Sequence, residues 1–226
     1  MSKNFQTEQN ELMENLVFNL TYPRFSTSTP HREIALELFI TSDCNKRCEY
    51  CYLQKYKHDL YPQQFNNPDM IRKNCQILLN HFLEKNIKVP SIDIFSGEII
   101  EDGDLWFDVM EMVKEASDKG LDVKKMLIPT NASFLTNDAV CERVENLIKD
   151  FQEHGIRITL SFSDDGGLLD EINRPLTTGE KQNKEKFYER AKYFSRKYYF
   201  GFHPMVNAHS IEKWVDNFNW WIILFV

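Results

Sequence analysis

Short β-rich runs alternate with helix-patterned stretches along most of this chain, and that alternation restricts the fold more than any other feature. The strand-like runs are EIALELFI at 33–40, SIDIF at 91–95, VKKMLIPT at 123–130, IRITLSF at 156–162 and YFGFHPMV at 199–206. Between the first two, Asn67 is placed to cap a helix whose first residue is Pro68, with Ile71, Cys75, Leu78 and Phe82 on one face. A second helix carries the stripe Leu105, Val109, Met112 and Ala116, with Gly120 as its C-cap glycine. Thr136 or Asn137 caps a third, striped by Val140, Val144, Leu147 and Phe151 and ended near Gly155. A fourth spans NKEKFYERAKYFSRKY at 183–198. A short helix at IEKWVDNF, 211–218, leads into WIILFV at 221–226, which reads as the opening of a sixth strand.

This pattern predicts an α/β fold in which one-striped helices cover a parallel sheet. Five units and part of a sixth fall short of the closed eight-unit barrel, so the expected architecture is a partial (β/α)6-type TIM barrel with its last unit cut short. An open doubly wound sheet fits the same alternation. The chain is long enough for one sizeable core. Residues 1–32 are expected to be an N-terminal extension, and 33–226 one domain.

In either architecture, functional groups gather at the C-terminal ends of the strands. Cys44, Cys48 and Cys51 follow the first strand, and Ser96, Gly97 and Glu98 the second. Thr130 to Ser133 close the third strand, Ser163 to Gly166 the fourth, and HPMVN the fifth. A net charge of −7 argues against a general binder of nucleic-acid backbone. The first sixteen residues are polar and acidic, without the apolar core of a secretory signal, and the apolar tail is far shorter than a bilayer span, so a cytoplasmic location is expected. In that compartment closely spaced cysteines bind metals or react more often than they form disulfides.

Three thiolates at Cys-x3-Cys-x2-Cys spacing can bind three corners of a [4Fe–4S] cluster and leave the fourth iron open. They can also bind zinc, with His58 as the fourth ligand. Cys75 and Cys141 lie on helix stripes and read as core residues. Taken alone, Glu98 fits a helix cap, Asn131, Ser163 and Asp165 fit turns, and His203 fits a structural place at a strand end. The seven Lys and Arg between 181 and 197 are interrupted by glutamates and read as the solvated face of an outer helix. Trp214, Phe218, Trp220 and Trp221 read as helix packing.

From about 33 to 207, the ordered segments resemble the radical S-adenosylmethionine (SAM) enzymes. That family carries Cys-x3-Cys-x-aromatic-Cys, here Cys44, Cys48, Tyr50 and Cys51. The resemblance implies a [4Fe–4S] cluster on the three cysteines, with SAM chelated at the fourth iron. The family's Gly-Gly-Glu-Pro appears as Ser96-Gly97-Glu98-Ile99, so only Gly97 and Glu98 carry over: the glycine to let backbone approach SAM, the carboxylate to accept from its ammonium group. Asn131, in Thr130-Asn131-Ala132, is implied near the SAM carboxylate. Ser163 and Asp165, in Ser163-Asp164-Asp165-Gly166, are implied at its methionyl or ribose end, and the segment near Val206 beside adenine. SDDG together with NRP at 173–175 is closest in style to the peptide-modifying and sulfatase-maturing (SPASM-type) branch, many of whose members hold further clusters in a C-terminal domain. No cysteine follows Cys141 here. The resemblance implies an oxidoreductase that cleaves SAM reductively, draws electrons from a flavodoxin or ferredoxin, and abstracts hydrogen from a peptide or protein. Alternatives are a nucleotide or other small-molecule substrate, and a cluster-binding subunit without catalysis.

Overall fold

The structure, a computed structural model, describes residues 33–60, 67–100, 103–205 and 210–225. The expected N-terminal extension and the segment near Val206 lie outside the described residues. Five strands form one parallel sheet: β1 (Glu33–Phe39), β2 (Lys88–Phe95), β3 (Lys125–Thr130), β4 (Arg157–Phe162) and β5 (Tyr199–Phe202). Their spatial order is their sequence order. A doubly wound sheet reverses direction at a switch point. This one does not, so that alternative is excluded; crossovers of the one hand that parallel strands follow then all fall on the same side.

The helices are α1 (Tyr52–Leu60), α2 (Pro68–Glu84), α3 (Leu105–Asp118), α4 (Asp138–Glu153), α5 (Gly167–Asn173), α6 (Lys184–Lys197) and α7 (Trp214–Phe225). Local chemistry sets several of their boundaries. The Asn67 side chain accepts from the backbone N–H of Asp69 and Met70 at 3.0 and 3.2 Å, and Asn137 caps α4 through Val140. Gly120 closes α3 with φ +105°, a conformation that suits glycine. Of the expected stripes, Cys75 and Phe82 of α2, Leu105, Val109 and Ala116 of α3, and Val144 and Phe151 of α4 are buried, whereas Ile71, Leu78, Met112, Val140 and Leu147 are partly buried at the core's edge; Leu79, Val113 and Ile148, outside the expected stripes, are buried with them. They pack on Ile92, Ile94, Met126, Ile128, Ile158 and Leu160 of the central strands.

The other face of the sheet is more polar. Register places Ala35 opposite Ser91, Glu37 opposite Asp93, and Pro129 opposite Ser161. Apart from Ser161, these residues are partly or fully exposed, so the face away from the helices is an accessible surface rather than a second core.

Two short helices were not expected. One is α1, directly after the third motif cysteine; the other is α5, between β4 and α6. A third difference is a correction. The apolar run WIILFV does not open a sixth strand, because Trp221 to Phe225 continue helix α7. No glycine or proline interrupts the chain from Ile211 onward, and periodicity cannot separate strand from helix in so short an apolar run.

Phe194 of α6 is fully buried, with its ring 6.0 Å from Phe134 and 5.3 Å from Tyr198. Phe194→Ala is expected to cost about 3–5 kcal/mol in chemical denaturation. Ile77→Ala, on the exposed side of α2, should stay within about 0.5 kcal/mol of the parent.

Candidate functional site

The loop after β1 carries the three cysteines, and it lies directly on the loop after β2. Gly97 N–H donates to the Thr41 carbonyl at 2.7 Å and Glu98 N–H to the Asp43 carbonyl at 2.8 Å. The Ser96 hydroxyl accepts from Ile40 N–H at 3.0 Å. A Cβ on Gly97 would stand 2.1 Å from the Asp43 carbonyl oxygen. The cysteine loop itself makes a close approach that requires glycine here.

Glu98 is buried, and its carboxylate turns toward the loop after β3. It accepts from the Thr130 hydroxyl at 2.7 Å and from Asn131 N–H at 2.5 Å. Asn131 in turn reaches the cysteine loop. Its amide donates to the Asn45 side-chain oxygen at 2.7 Å and lies 3.8 Å from Cys44 Sγ, while Asn45 donates to the Ser133 hydroxyl at 2.8 Å. Three successive strand-end loops are thus tied together by side chains that a parallel sheet brings to one rim.

Ser163 and Asp165 behave differently. Ser163 is half-exposed on that rim, with its N–H on the Thr130 carbonyl at 2.8 Å. Asp165 is buried and already engaged. It accepts from the Tyr50 hydroxyl at 2.6 Å, from Met205 N–H at 2.9 Å and from the Asn173 amide at 3.2 Å, and pairs with Arg174 at 3.3 Å. Burial raises the Tyr50 pKa above its ordinary value, so the phenol is a donor here. The aromatic residue of the cysteine motif is anchored through this carboxylate.

The NRP segment forms a strap against the cysteine loop. Arg47 N–H donates to the Pro175 carbonyl at 2.8 Å, Glu49 N–H to the Asn173 carbonyl at 2.9 Å, and Thr177 N–H to the Asn45 carbonyl at 2.8 Å. Lys46 and Leu176 form an antiparallel bridge. Buried charges sit with it. Lys46 pairs with Asp170 at 3.2 Å, Lys184 with Asp170 at 2.9 Å, and Arg174 lies 4.0 Å from Cys48 Sγ and 5.2 Å from the Tyr50 ring centroid. Burial opposes ionisation of Asp170, but Lys46 and Lys184 outweigh it and hold the carboxyl below the usual range. Sequence reasoning did not single out Lys46 or Asp170, and read Arg174 only as part of the NRP segment. The available signal was the i,i+4 spacing of Asp170 and Arg174 just after the SDDG segment.

All five cysteines are free thiols. Cys44, Cys48 and Cys51 are half-buried on the loop, whereas Cys75 and Cys141 are buried on α2 and α4. Burial pushes the Cys44 thiol up to about 12, with Glu98 and the other two motif cysteines adding to the rise. Burial also raises Cys48, against the pull of Arg174 and Lys46. Among the described residues no group of three His, Cys, Asp or Glu side chains converges as a single bound ion requires. Three cysteine sulfurs carried by one loop at this spacing suit, in their chemistry, a multinuclear centre in which each sulfur meets a different iron. His203, at the end of β5, is exposed and its Nδ1 lies 2.8 Å from the Ser161 hydroxyl.

The fold belongs to the class of open, singly wound parallel α/β sheets with functional loops at one rim. It is similar to solved structures of native anSMEcpe with bound AdoMet, at 19% identity and a TM-score of 0.60 over 83% of this chain and 48% of that one. A histidine-tagged form of anSMEcpe with bound AdoMet matches at 19% identity and a TM-score of 0.61, over 84% and 47%. Native anSMEcpe with bound AdoMet and Cp18Cys peptide matches at 19% and 0.59, over 84% and 48%. The chain spans about half the length of these proteins. Neither family models nor curated protein sequences match it.

Two expectations follow from the site. Gly97→Ala should lift the cysteine loop without unfolding the sheet. Anaerobic alkylation of Cys44, Cys48 and Cys51 should then accelerate about tenfold or more, equivalent to about 1.4 kcal/mol of easier local opening, while circular dichroism stays unchanged. Asp164 is buried, and its Oδ2 lacks a hydrogen-bond partner among the described residues. Burial and the nearby Asp170 push it up to about 6. A carboxyl raised in the folded state contributes stability that is full below its unfolded pKa, about 4, and is lost as pH rises through about 6. The stability of the parent relative to Asp164→Asn should therefore fall between pH 4 and 6 and level off above.

Proposed function

We propose that this chain is a radical SAM enzyme of the cytoplasm, built on residues 33–226 and acting on a peptide or protein. One observation carries the reading: a loop with three half-buried thiols, at the spacing that resembles the radical SAM motif, is docked at the strand-end rim of a singly wound parallel sheet. The likeness in fold to anSMEcpe, an anaerobic sulfatase-maturating enzyme of radical SAM type with AdoMet bound, supports it. That anSMEcpe also accommodates Cp18Cys and Kp18Cys peptides with AdoMet bound favours a peptide over a nucleotide.

When bound, a [4Fe–4S] cluster with SAM supplies reductive cleavage of the carbon–sulfur bond and a carbon radical able to take hydrogen from a substrate. The residues that would hold the cluster are Cys44, Cys48 and Cys51. Gly97 keeps their loop seated on the β2 end, and Asn131 holds Asn45 beside Cys44. Tyr50, fixed by Asp165, and Arg174, beside Cys48, wall the loop on its other side. Ser163, half-exposed on the rim, is the best placed of the motif side chains to meet SAM directly. Glu98 and Asp165 act through the loops they bind, because their oxygens are already accepting from Thr130, Asn131, Tyr50 and Met205. The electron enters from a small reductant such as flavodoxin or ferredoxin.

Anaerobic reconstitution with iron, sulfide, SAM and reductant should give a brown protein with about four irons per chain. It should release 5′-deoxyadenosine, with label arriving from a deuterated peptide. Ala at any one of Cys44, Cys48 or Cys51 should abolish stable iron binding, whereas Cys75→Ala and Cys141→Ala should keep it. Stoichiometric zinc without iron would refute the proposal. Label arriving only from nucleotides would move the substrate class.

A further inference from the structure

A cavity of about 210 Å³ lies between the cysteine loop, the end of α5, the strap that follows it and the start of α6. Lys46, Asp170, Gln182 and Lys184 line it. One water needs only about 10–15 Å³ of such space, so the cavity has room for a small ion or molecule. Its lining has more hydrogen-bond donors than acceptors. Lys46 is 2% exposed, and an ammonium carries three donors. Among the described residues its Nζ reaches one acceptor, Asp170 Oδ2 at 3.2 Å, and Lys184 Nζ reaches the same oxygen at 2.9 Å. The other Asp170 oxygen is taken by Asp165 N–H at 3.4 Å and by Arg174 at 3.7 Å. Gln182 Nε2 is buried and has no hydrogen-bond partner among the described residues. The cysteine loop, the segment before α6 and the first turn of α6 thus leave donors without acceptors around one space, where burial makes an unmatched donor costly.

We propose that this cavity binds a phosphate-type oxyanion, either free or as the phosphoryl group of a larger molecule. Its charge answers two ammonium groups that share one carboxylate oxygen, and its several oxygens can accept from the Gln182 amide as well. A planar carboxylate is a poorer match. Such a group is best met by a guanidinium fork, and Arg174 is already turned to Asp165 and Asp170. A cation is a poorer match still, because Lys46, Lys184 and Arg174 all line the space. Glu171, Glu180 and Lys181 also border it. These three are half or fully exposed, so water and salt screen them more than they screen the buried lysine. Lys46 stands between Cys44 and Cys48, so an occupant would tie the cysteine loop to the start of α6. The site draws on neither cluster nor SAM, and it stands or falls apart from the function proposed above.

Thermal unfolding of the full chain tests the site, with inorganic phosphate and with phenyl phosphate, each from about 0.1 to 30 mM and with ionic strength held constant by sodium chloride. The expected result is a saturable rise in melting temperature, half complete in about the millimolar range. Lys184→Gln should weaken the apparent affinity by ~10-fold or more, and Gln182→Ala by ~3-fold or more. Gln182 Nε2 has no partner to lose, and Asp170 keeps Lys46 and Arg174 when Lys184 is changed, so both variants should fold. Arg196→Gln, which removes a cation from the exposed last turn of α6, should leave the response intact. A response to inorganic phosphate alone makes the ligand the free anion. A response to phenyl phosphate, with or without the other, makes it the phosphoryl group of a larger molecule. No saturable rise with either probe overturns the proposal, as does a rise that both cavity variants keep or that Arg196→Gln weakens equally.

Discussion

The contact on which the site depends is between backbones, at Gly97. The two hydrogen bonds from Gly97 and Glu98 to Thr41 and Asp43 hold the cysteine loop to the end of β2, and they form only because no side chain stands between. The position of each thiol relative to the sheet follows from that seating. A cysteine loop anchored by its own residues alone would bear the ordering cost of its backbone with few contacts to offset it. Here the cost is shared with a sheet whose register is already fixed by a buried core.

From that contact the site extends in two directions with different chemistry. Toward β3, it is a chain of neutral and singly charged hydrogen bonds running from Glu98 to Thr130 and Asn131 and on to Asn45. Toward α5, it is a cluster of opposed charges: Lys46, Arg174 and Lys184 against Asp164, Asp165 and Asp170. Burying so many ions costs more than their attraction offsets unless each is paired and hydrogen-bonded. The cluster therefore acts less as a source of stability than as a device for fixing geometry. Asp165 joins Tyr50 of the cysteine loop, Asn173 and Arg174 of the strap, and Met205 beyond β5, and so closes the rim from its first strand to its last.

The sequence made the alternation of elements legible because apolar stripes and caps are local properties. Asn67 and Asn137 cap where their side chains predict, and the stripes of α2, α3 and α4 face the core. The cysteines, Glu98 and Asn131 were legible as a rim set, since strand ends can be counted along the chain. What escaped depends on pairings distant in sequence. Nothing near Lys46 announces Asp170, which lies 124 residues away, and nothing near Gly97 announces the Asp43 carbonyl against it. The end of the chain escaped for another reason. Six apolar residues satisfy a strand or a buried helix equally, and Trp214 at the start of α7 settles the matter only once Trp221 is seen packed on Phe202.

The same arrangement sets how the thiols would load. Burial holds Cys44 and Cys48 in their neutral form near neutrality, so binding iron must expel protons as well as form bonds. The two sulfurs are not equivalent. Cys48 lies near the cations Arg174 and Lys46, which favour its thiolate, whereas the charges that act on Cys44 are the negative ones of Glu98 and the neighbouring sulfurs. Cys44 receives its help from dipoles instead, the Lys46 N–H at 3.4 Å and the Asn131 amide at 3.8 Å. A centre seated there would have a charge-compensated side toward α5 and a hydrogen-bonded side toward β3. Removing Arg174 would expose the first side to uncompensated charge, whereas removing Asn131 would loosen the second without changing its net charge.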